Sequence, residues 1–197
     1  METFVVKNFN LKGLKNISPK TIEEHLKLYQ AYVKNANLVL SKIKEYENDM
    51  TLNSYAINEL RRRFSFEVGG VKNHEIYFSS ISGGDKKLPK NSELQKILEE
   101  QGESIESFIS SIKSGAMTRG IGWVMAYYDK DNNKIHVGWV DEQHIGLLAG
   151  LPIILALDMW EHSYYLDYTP SEKSKYVDAF FENLNWEKIE ENLKQVL

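Results

Sequence analysis

The chain has 197 residues, of which 42% are hydrophobic, and it carries a formal net charge of -4 and no cysteine. This length suits one large domain or two small ones, and the acidic balance argues against a nucleic-acid-binding protein. The lack of cysteine excludes disulfides, iron–sulfur clusters and thiolate zinc sites. The N-terminus does not read as a signal peptide, and the longest apolar run, 145–157, is too short to span a bilayer. We therefore expect a cytoplasmic protein that binds neither nucleic acid nor membrane.

The N-terminal half is predicted to be helical after an irregular arm over residues 1–18. Ser18 is a candidate N-cap and Pro19 suits the first helical position, so a helix should run from there to about Lys44. On this helix, His25 shares a face with Tyr29 and Tyr32, at spacings of four and seven residues. Taken alone, His25 is best interpreted as a surface histidine.

A second helix should follow a turn over 48–53, with Thr51 or Asn53 as its N-cap. The pair Gly69-Gly70 is predicted to interrupt this helix, which resumes over 71–78 and contains His74. Taken alone, His74 is best interpreted as a core histidine. The arginine run 61–63 is predicted to be a solvated face, because the whole chain is acidic.

The turn-forming stretch 82–90 is predicted to be the domain boundary. We expect an α+β protein, with an N-terminal helical hairpin domain over 1–88 and a C-terminal α/β domain with a three-stranded antiparallel sheet over 89–197. The predicted strands are 120–128, 134–140 and 151–157, and the predicted helices of this domain are 91–101, 104–115, 173–184 and 187–197.

A carboxylate and an imidazole occur close together after the third predicted strand. Asp158 follows the apolar run 151–157, and His162 comes four residues later. An oxygen ligand and a nitrogen ligand together suit iron, manganese or zinc better than calcium or magnesium. The aromatic residues Trp160, Tyr164 and Tyr165 favour the dry surround that a redox metal needs. An ordinary helix start remains the alternative for this pair.

The segment Asp158-Met-Trp-Glu-His-Ser-Tyr-Tyr resembles the D-x-W-E-H-A-Y-Y signature of the iron/manganese superoxide dismutases. The resemblance extends to the segments 17–25, 73–78, 120–123 and 185–186, and covers nearly all of the chain. It implies one iron or manganese ion, bound with a solvent molecule in a trigonal bipyramid by His25, His74, Asp158 and His162. His136 and His144 are expected to be ordinary histidines.

The same resemblance concerns residues around the metal. Gly70 stands where the iron enzymes usually carry a glutamine that reaches the solvent ligand, and Gln143 stands where the manganese enzymes place theirs, so manganese is favoured. The family's gateway tyrosine normally follows the first ligand by eight residues, whereas Tyr32 follows His25 by seven. Either Tyr29 or Tyr32 could therefore fill that catalytic role.

The resemblance implies disproportionation of superoxide to oxygen and hydrogen peroxide. Glu161 and Tyr165 resemble the residues that bridge two subunits, which implies a homodimer, with a tetramer as the alternative. The arginine usual near position 170 is absent, with Lys173 as an approximate substitute, and Lys27 could add positive potential. Two rival functions stay open here: a catalytically weak, superoxide dismutase-like metal-binding protein, and a zinc hydrolase, against which the apolar surround argues.

Overall fold

In a computed structural model that describes residues 3–197, two long helices form an antiparallel hairpin. Helix α1 spans Pro19–Tyr46, and the Ser18 side chain accepts a hydrogen bond from the Thr21 amide at its start, as predicted. A short 3-10 turn, Glu47–Asp49, leads into helix α2, Met50–Ile81.

Two details of α2 differ from the sequence predictions. Its N-cap is Asp49, whose carboxylate accepts from the Leu52 amide at 3.0 Å, rather than Thr51 or Asn53. The helix also continues through Gly69-Gly70 without a break. Each glycine costs roughly 0.5–1 kcal/mol of helix stability, but both are buried at places where neighbouring atoms leave no room for a side chain. Tertiary packing has therefore overridden the low helix propensity of glycine.

The C-terminal half contains a three-stranded antiparallel sheet, as predicted, flanked by helices. Strand β1 lies in the middle, hydrogen-bonded to β2 on one side and β3 on the other. The strands are β1 Gly122–Asp129, β2 Lys134–Asp141 and β3 Ile153–Asp158. The helices are α3 Glu93–Glu100, α4 Ile105–Ala116, α5 Lys173–Glu182 and α6 Trp186–Lys194.

One continuous hydrophobic core joins the hairpin to the sheet. Tyr77 and Phe78 of α2 and Trp123 of β1 are fully buried in it, and Tyr77 stacks on Phe180 of α5. The register of the sheet places Trp123 opposite Asp158, the last residue of β3. This packing brings the end of β3 against the middle of the hairpin. No helix in the span 3–197 has the length and apolar content that crossing a membrane requires.

Candidate metal centre

Four side chains from three separate parts of the chain converge at the junction of hairpin and sheet. His25 comes from the second turn of α1, His74 from the C-terminal half of α2, Asp158 from the end of β3, and His162 from the 3-10 turn Glu161–Ser163 that follows it. One ligand atom from each of the four lies within 4.8 Å of all the others.

The carboxylate of Asp158 is the centre of this arrangement. Its Oδ2 lies 3.1 Å from His25 Nε2, 3.2 Å from His162 Nε2 and 3.6 Å from His74 Nε2. The other oxygen accepts a hydrogen bond from the Trp160 amide at 2.9 Å. Asp158 and His162 thus face each other across the strand-to-turn junction rather than along a helix.

We call His25, His74, Asp158 and His162 the tetrad. It is buried, apart from His162, whose side chain is 24% exposed. His25 is therefore not the surface histidine that its local sequence suggested. Burial, more than any other effect, lowers the pKa of His74 to about 3 and also lowers the pKa of His25. For Asp158, burial alone would raise the pKa, but His162 and His25 hold it below its usual range. The site therefore presents neutral imidazoles at His25 and His74 and an ionised carboxylate at Asp158.

The donor atoms fit a small transition-metal ion. His74 Nδ1 lies 2.6 Å from the Gly70 carbonyl, which orients the ring so that Nε2 points into the cluster. That Nε2 is buried and has no hydrogen-bond partner among the described residues, and a metal ion would supply the missing partner. Three imidazole nitrogens with one carboxylate oxygen suit iron, manganese or zinc.

Aromatic rings surround the tetrad, but they are only partly the ones predicted. Trp160 stacks on His162, with ring centroids 5.7 Å apart, whereas Tyr165 is 60% exposed and Tyr164 packs on Tyr176 instead. The rings of Tyr77 and Phe78 pack on His25, and that of Trp123 packs on His74, with centroids 4.8–5.0 Å apart. Sequence reasoning gave no role to these three residues, because their position depends on how the sheet meets the hairpin.

A hydrogen-bond chain runs beside the tetrad. Trp123 Nε1 donates to Gln143 Oε1 at 3.1 Å, and Gln143 Nε2 donates to the Tyr32 hydroxyl at 3.1 Å. Gln143 is fully buried, and its backbone carbonyl accepts from Asn73 Nδ2 at 2.9 Å. Asn73 was part of a matching motif without an assigned role. The structure thus brings Gln143 and Tyr32 together at the site.

The remaining predicted residues lie elsewhere around the centre. The Tyr29 hydroxyl accepts from the Lys7 amide at 3.0 Å and donates to Glu75 at 3.4 Å, so it faces the N-terminal arm. Glu161 and Tyr165 are exposed on the surface beside His162. His136 lies on β2, 3.2 Å from Asp129, outside the tetrad.

Fold and site together indicate a class of protein in which three histidines and one aspartate could hold one metal ion. Comparison with known proteins makes the class specific. Residues 9–82 match the alpha-hairpin domain of the iron/manganese superoxide dismutases, and residues 89–192 match the C-terminal domain of the same family. The chain therefore belongs to the iron/manganese superoxide dismutase family.

Similar proteins carry names with either metal or both. An iron superoxide dismutase of Aquifex pyrophilus is 29% identical over 94% of this chain and 88% of its own length. A mitochondrial manganese superoxide dismutase of Glossina morsitans morsitans is 33% identical over 84% of this chain and 75% of its own length. A superoxide dismutase of Aeropyrum pernix, named for manganese and iron, is 29% identical over 92% of this chain and 86% of its own length.

Proposed function

We propose that this protein is a superoxide dismutase that converts two superoxide anions and two protons into oxygen and hydrogen peroxide. The observation that carries the proposal is the convergence of His25, His74, Asp158 and His162 on one point within a fold of the matching family. When bound, the ion would supply redox chemistry, by accepting an electron from one superoxide and returning an electron to the next.

The protein contributes a dry site and a source of protons. Burial, more than any other effect, raises the pKa of the Tyr32 hydroxyl, so Tyr32 keeps its proton at neutral pH. Because this hydroxyl oxygen accepts a hydrogen bond from Gln143, its own proton is free to point toward a substrate. Trp123 fixes the amide of Gln143 in the orientation that this requires. In this proposal Tyr32 passes its proton to the reduced substrate and regains a proton from solvent, with Gln143 holding the hydroxyl in place.

Tyr32, rather than Tyr29, is our candidate for the gateway role. The Tyr29 hydroxyl is already engaged by Lys7 and Glu75. The Tyr32 side chain is half-buried and reaches Gln143. The spacing of seven residues after His25 therefore does not prevent a tyrosine from reaching the site.

We further propose manganese as the working metal. The argument is the position of the glutamine: Gln143 supplies an amide from the loop after β2, whereas Gly70 on α2 has no side chain to offer. A Cβ atom at Gly70 would lie 2.3 Å from the Tyr32 ring, so position 70 cannot hold a glutamine while Tyr32 keeps its place. The proposal also includes a homodimer formed through the exposed Glu161 and Tyr165, and a cytoplasmic location as expected from the sequence.

The test is metal analysis combined with superoxide consumption on separately manganese-loaded and iron-loaded protein. We expect one ion per chain and rapid loss of superoxide with manganese. His74→Gln should lose metal binding and superoxide consumption. His136→Gln should keep both properties, because His136 lies outside the tetrad. Bound manganese or iron without superoxide consumption would instead support the catalytically weak metal-binding protein. Bound zinc without superoxide consumption would support the hydrolase.

A further inference from the structure

The three consecutive arginines of α2 have different surroundings, although the sequence predicted one solvated face. Arg61 and Arg62 pair with Glu47 and Glu59, and all four side chains are at least 46% exposed. Exposed pairs of this kind contribute little to stability. Arg63 is different, because its partner is buried.

Arg63 is held on two sides. Its guanidinium carbon lies 3.8 Å from the centroid of the Phe66 ring, a close cation–π contact. Its Nε donates to Glu67 at 2.7 Å, and the Glu67 side chain is only 4% exposed, whereas that of Arg63 is 51% exposed. Leaving a buried carboxylate without its charged partner is costly, so the Arg63–Glu67 pair is favoured to persist. The buried Glu67 carboxylate therefore holds the Arg63 guanidinium at the surface.

Through Phe66, this cation lies close to the residues that border the metal centre. Phe66 packs on Tyr32, with ring centroids 5.9 Å apart, and on His144, with centroids 5.8 Å apart. Around the tetrad, Gln143 is fully buried, while Tyr32, Phe66 and His144 are all partly exposed. Phe66 therefore contacts both the Arg63 guanidinium and the Tyr32 ring, on the partly exposed side of the site.

The lysines that the sequence offered for this purpose are engaged elsewhere. Lys27 pairs with Glu23 at 2.6 Å and Glu24 at 3.1 Å on the outer face of α1. Lys173 donates to the Thr118 carbonyl at 2.9 Å and lies over Trp139, beside the sheet. Neither contacts the Tyr32 side of the site.

We propose that Arg63 guides the anionic substrate to the metal centre, with Glu67 and Phe66 as its positioning residues. The inference rests on the proposed function, because it names the substrate as superoxide. An approaching anion meets the positive guanidinium before the buried carboxylate, so the pair attracts anions even though its charges sum to zero. A guanidinium stays charged at every working pH and is weakly hydrated, which suits repeated brief contacts with a small anion.

The test compares Arg63→Gln with Arg62→Gln, which removes the same charge from the neighbouring residue. We expect Arg63→Gln to lower kcat/KM for superoxide severalfold at low ionic strength, and the difference to shrink at high salt, because exposed charges are then screened. Arg62→Gln should stay close to the wild type. Equal values for the two variants at low ionic strength would overturn the proposal.

Two further variants separate guidance from a purely structural role. Arg63→Lys keeps the charge and should retain most of kcat/KM. If Arg63 acted only through packing of its planar guanidinium, Arg63→Lys should instead lower kcat/KM as Arg63→Gln does. Arg63→Gln leaves Glu67 unpaired, so the double variant Arg63→Gln/Glu67→Gln removes both charges together. Its kcat/KM should lie between those of the wild type and Arg63→Gln, and a value at or above the wild type would contradict the proposal.

Azide affinity, followed by absorbance of the metal-loaded protein, gives a readout that does not depend on turnover. Azide is a small anion, and its affinity should fall in the same order as kcat/KM across these variants. Wild-type protein that binds metal but does not consume superoxide would refute the proposed function. The azide series would still test whether Arg63 attracts anions, and an unchanged affinity in Arg63→Gln would refute that.

Discussion

The ionisation of the tetrad is set by the few residues that enclose it. Removing His25 and His74 from water favours their neutral forms, while the imidazoles keep Asp158 ionised. These are the protonation states that metal ligands require. In the metal-free form, the buried His74 Nε2 has no hydrogen-bond partner among the described residues, and a bound cation would relieve that cost.

This arrangement predicts that metal-free protein loses stability as the pH falls below about 6.5, the ordinary pKa of histidine. His74 stays neutral in the folded state down to a pKa of about 3, whereas in the unfolded state it takes up a proton near pH 6.5. Each such proton lowers the free energy of unfolding by about 1.4 kcal/mol per pH unit across that window. Urea unfolding between pH 4 and 7 should show this slope.

In His74→Gln the slope should be smaller by about one proton, because one of the buried histidines is gone. His136→Gln is the matched control, since His136 is 41% exposed and lies on the edge strand β2. An unchanged slope in His74→Gln would contradict the depressed pKa.

A second residue-scale prediction concerns Gly69. A Cβ atom there would lie 2.2 Å from the backbone carbonyl oxygen of Gln143, and backbone cannot swing aside as a side chain can. Gly69→Ala should therefore displace Gln143 and weaken its hydrogen bonds to Tyr32 and Trp123. We expect lower kcat and a changed pH profile, with the side-chain amide signals of Gln143 shifted in NMR spectra.

Gly115→Ala is the control for this prediction. Gly115 is also inside a helix, but an added Cβ would lie 3.3 Å from a methyl group of Val124, a contact that small movements can relieve. The variant gains the same helix propensity without touching the site. If Gly69→Ala and Gly115→Ala gave the same kcat and pH profile, Gly69 would not be positioning Gln143.

At the scale of elements, carboxylates from distant segments cap the starts of helices and so fix how the elements are placed. The carboxylate of Asp167 accepts from the Ser18 amide and the Thr21 hydroxyl, both at 2.8 Å. This ties the segment after His162 to the start of α1. A similar contact joins α3 and α6, where Glu190 accepts from the Ser92 hydroxyl at 2.7 Å and from two backbone amides at the start of α3.

Glu190→Gln should lower the free energy of unfolding by about 1–3 kcal/mol, because an amide cannot replace a carboxylate that accepts several hydrogen bonds. Glu190 is 2% exposed. On the same helix, Glu191 pairs with Lys188 on the surface, so Glu191→Gln should cost less than about 1 kcal/mol. Chemical denaturation of both variants checks the difference, and equal losses would argue against the capping role.

At the scale of the whole molecule, hairpin and sheet share one core, so the two halves position the ligands jointly. Asn185, before α6, donates to the carbonyl of Ser82, just after α2. The boundary predicted between residues 88 and 89 stays a prediction, since nothing tests whether either half folds alone. The metal centre would not exist in one half, because His25 and His74 come from the hairpin and Asp158 and His162 from the sheet side.

The proposed homodimer predicts that Tyr165→Ser shifts the protein toward monomer in sedimentation experiments. Tyr165 is 60% exposed and Leu166 beside it is 41% exposed, next to the turn that holds His162. Tyr55→Ser is the control, because Tyr55 is 79% exposed but lies near the far end of the hairpin. A protein that remains dimeric after Tyr165→Ser would place the interface elsewhere.

The sequence alone was enough to predict the architecture and the four side chains that converge at the candidate site. Helix caps, turn residues and alternating strands are local signals, so the hairpin, the three strands and most element bounds could be predicted from short stretches. The four candidate ligands were predicted from the signature around Asp158 and His162 together with its partner motifs, and the structure brings them together. Local patterns alone would have left His25 on the surface and His74 in an ordinary core.

Tertiary structure alone decided what depends on contacts between distant segments. Gly69-Gly70 remains helical because Gln143 and Tyr32 pack against it, Tyr32 rather than Tyr29 reaches Gln143, and Arg63 differs from its two neighbours through Glu67 and Phe66. The physical reason is that burial and packing free energies belong to pairs of segments far apart in the chain, and local propensities are too small to determine them.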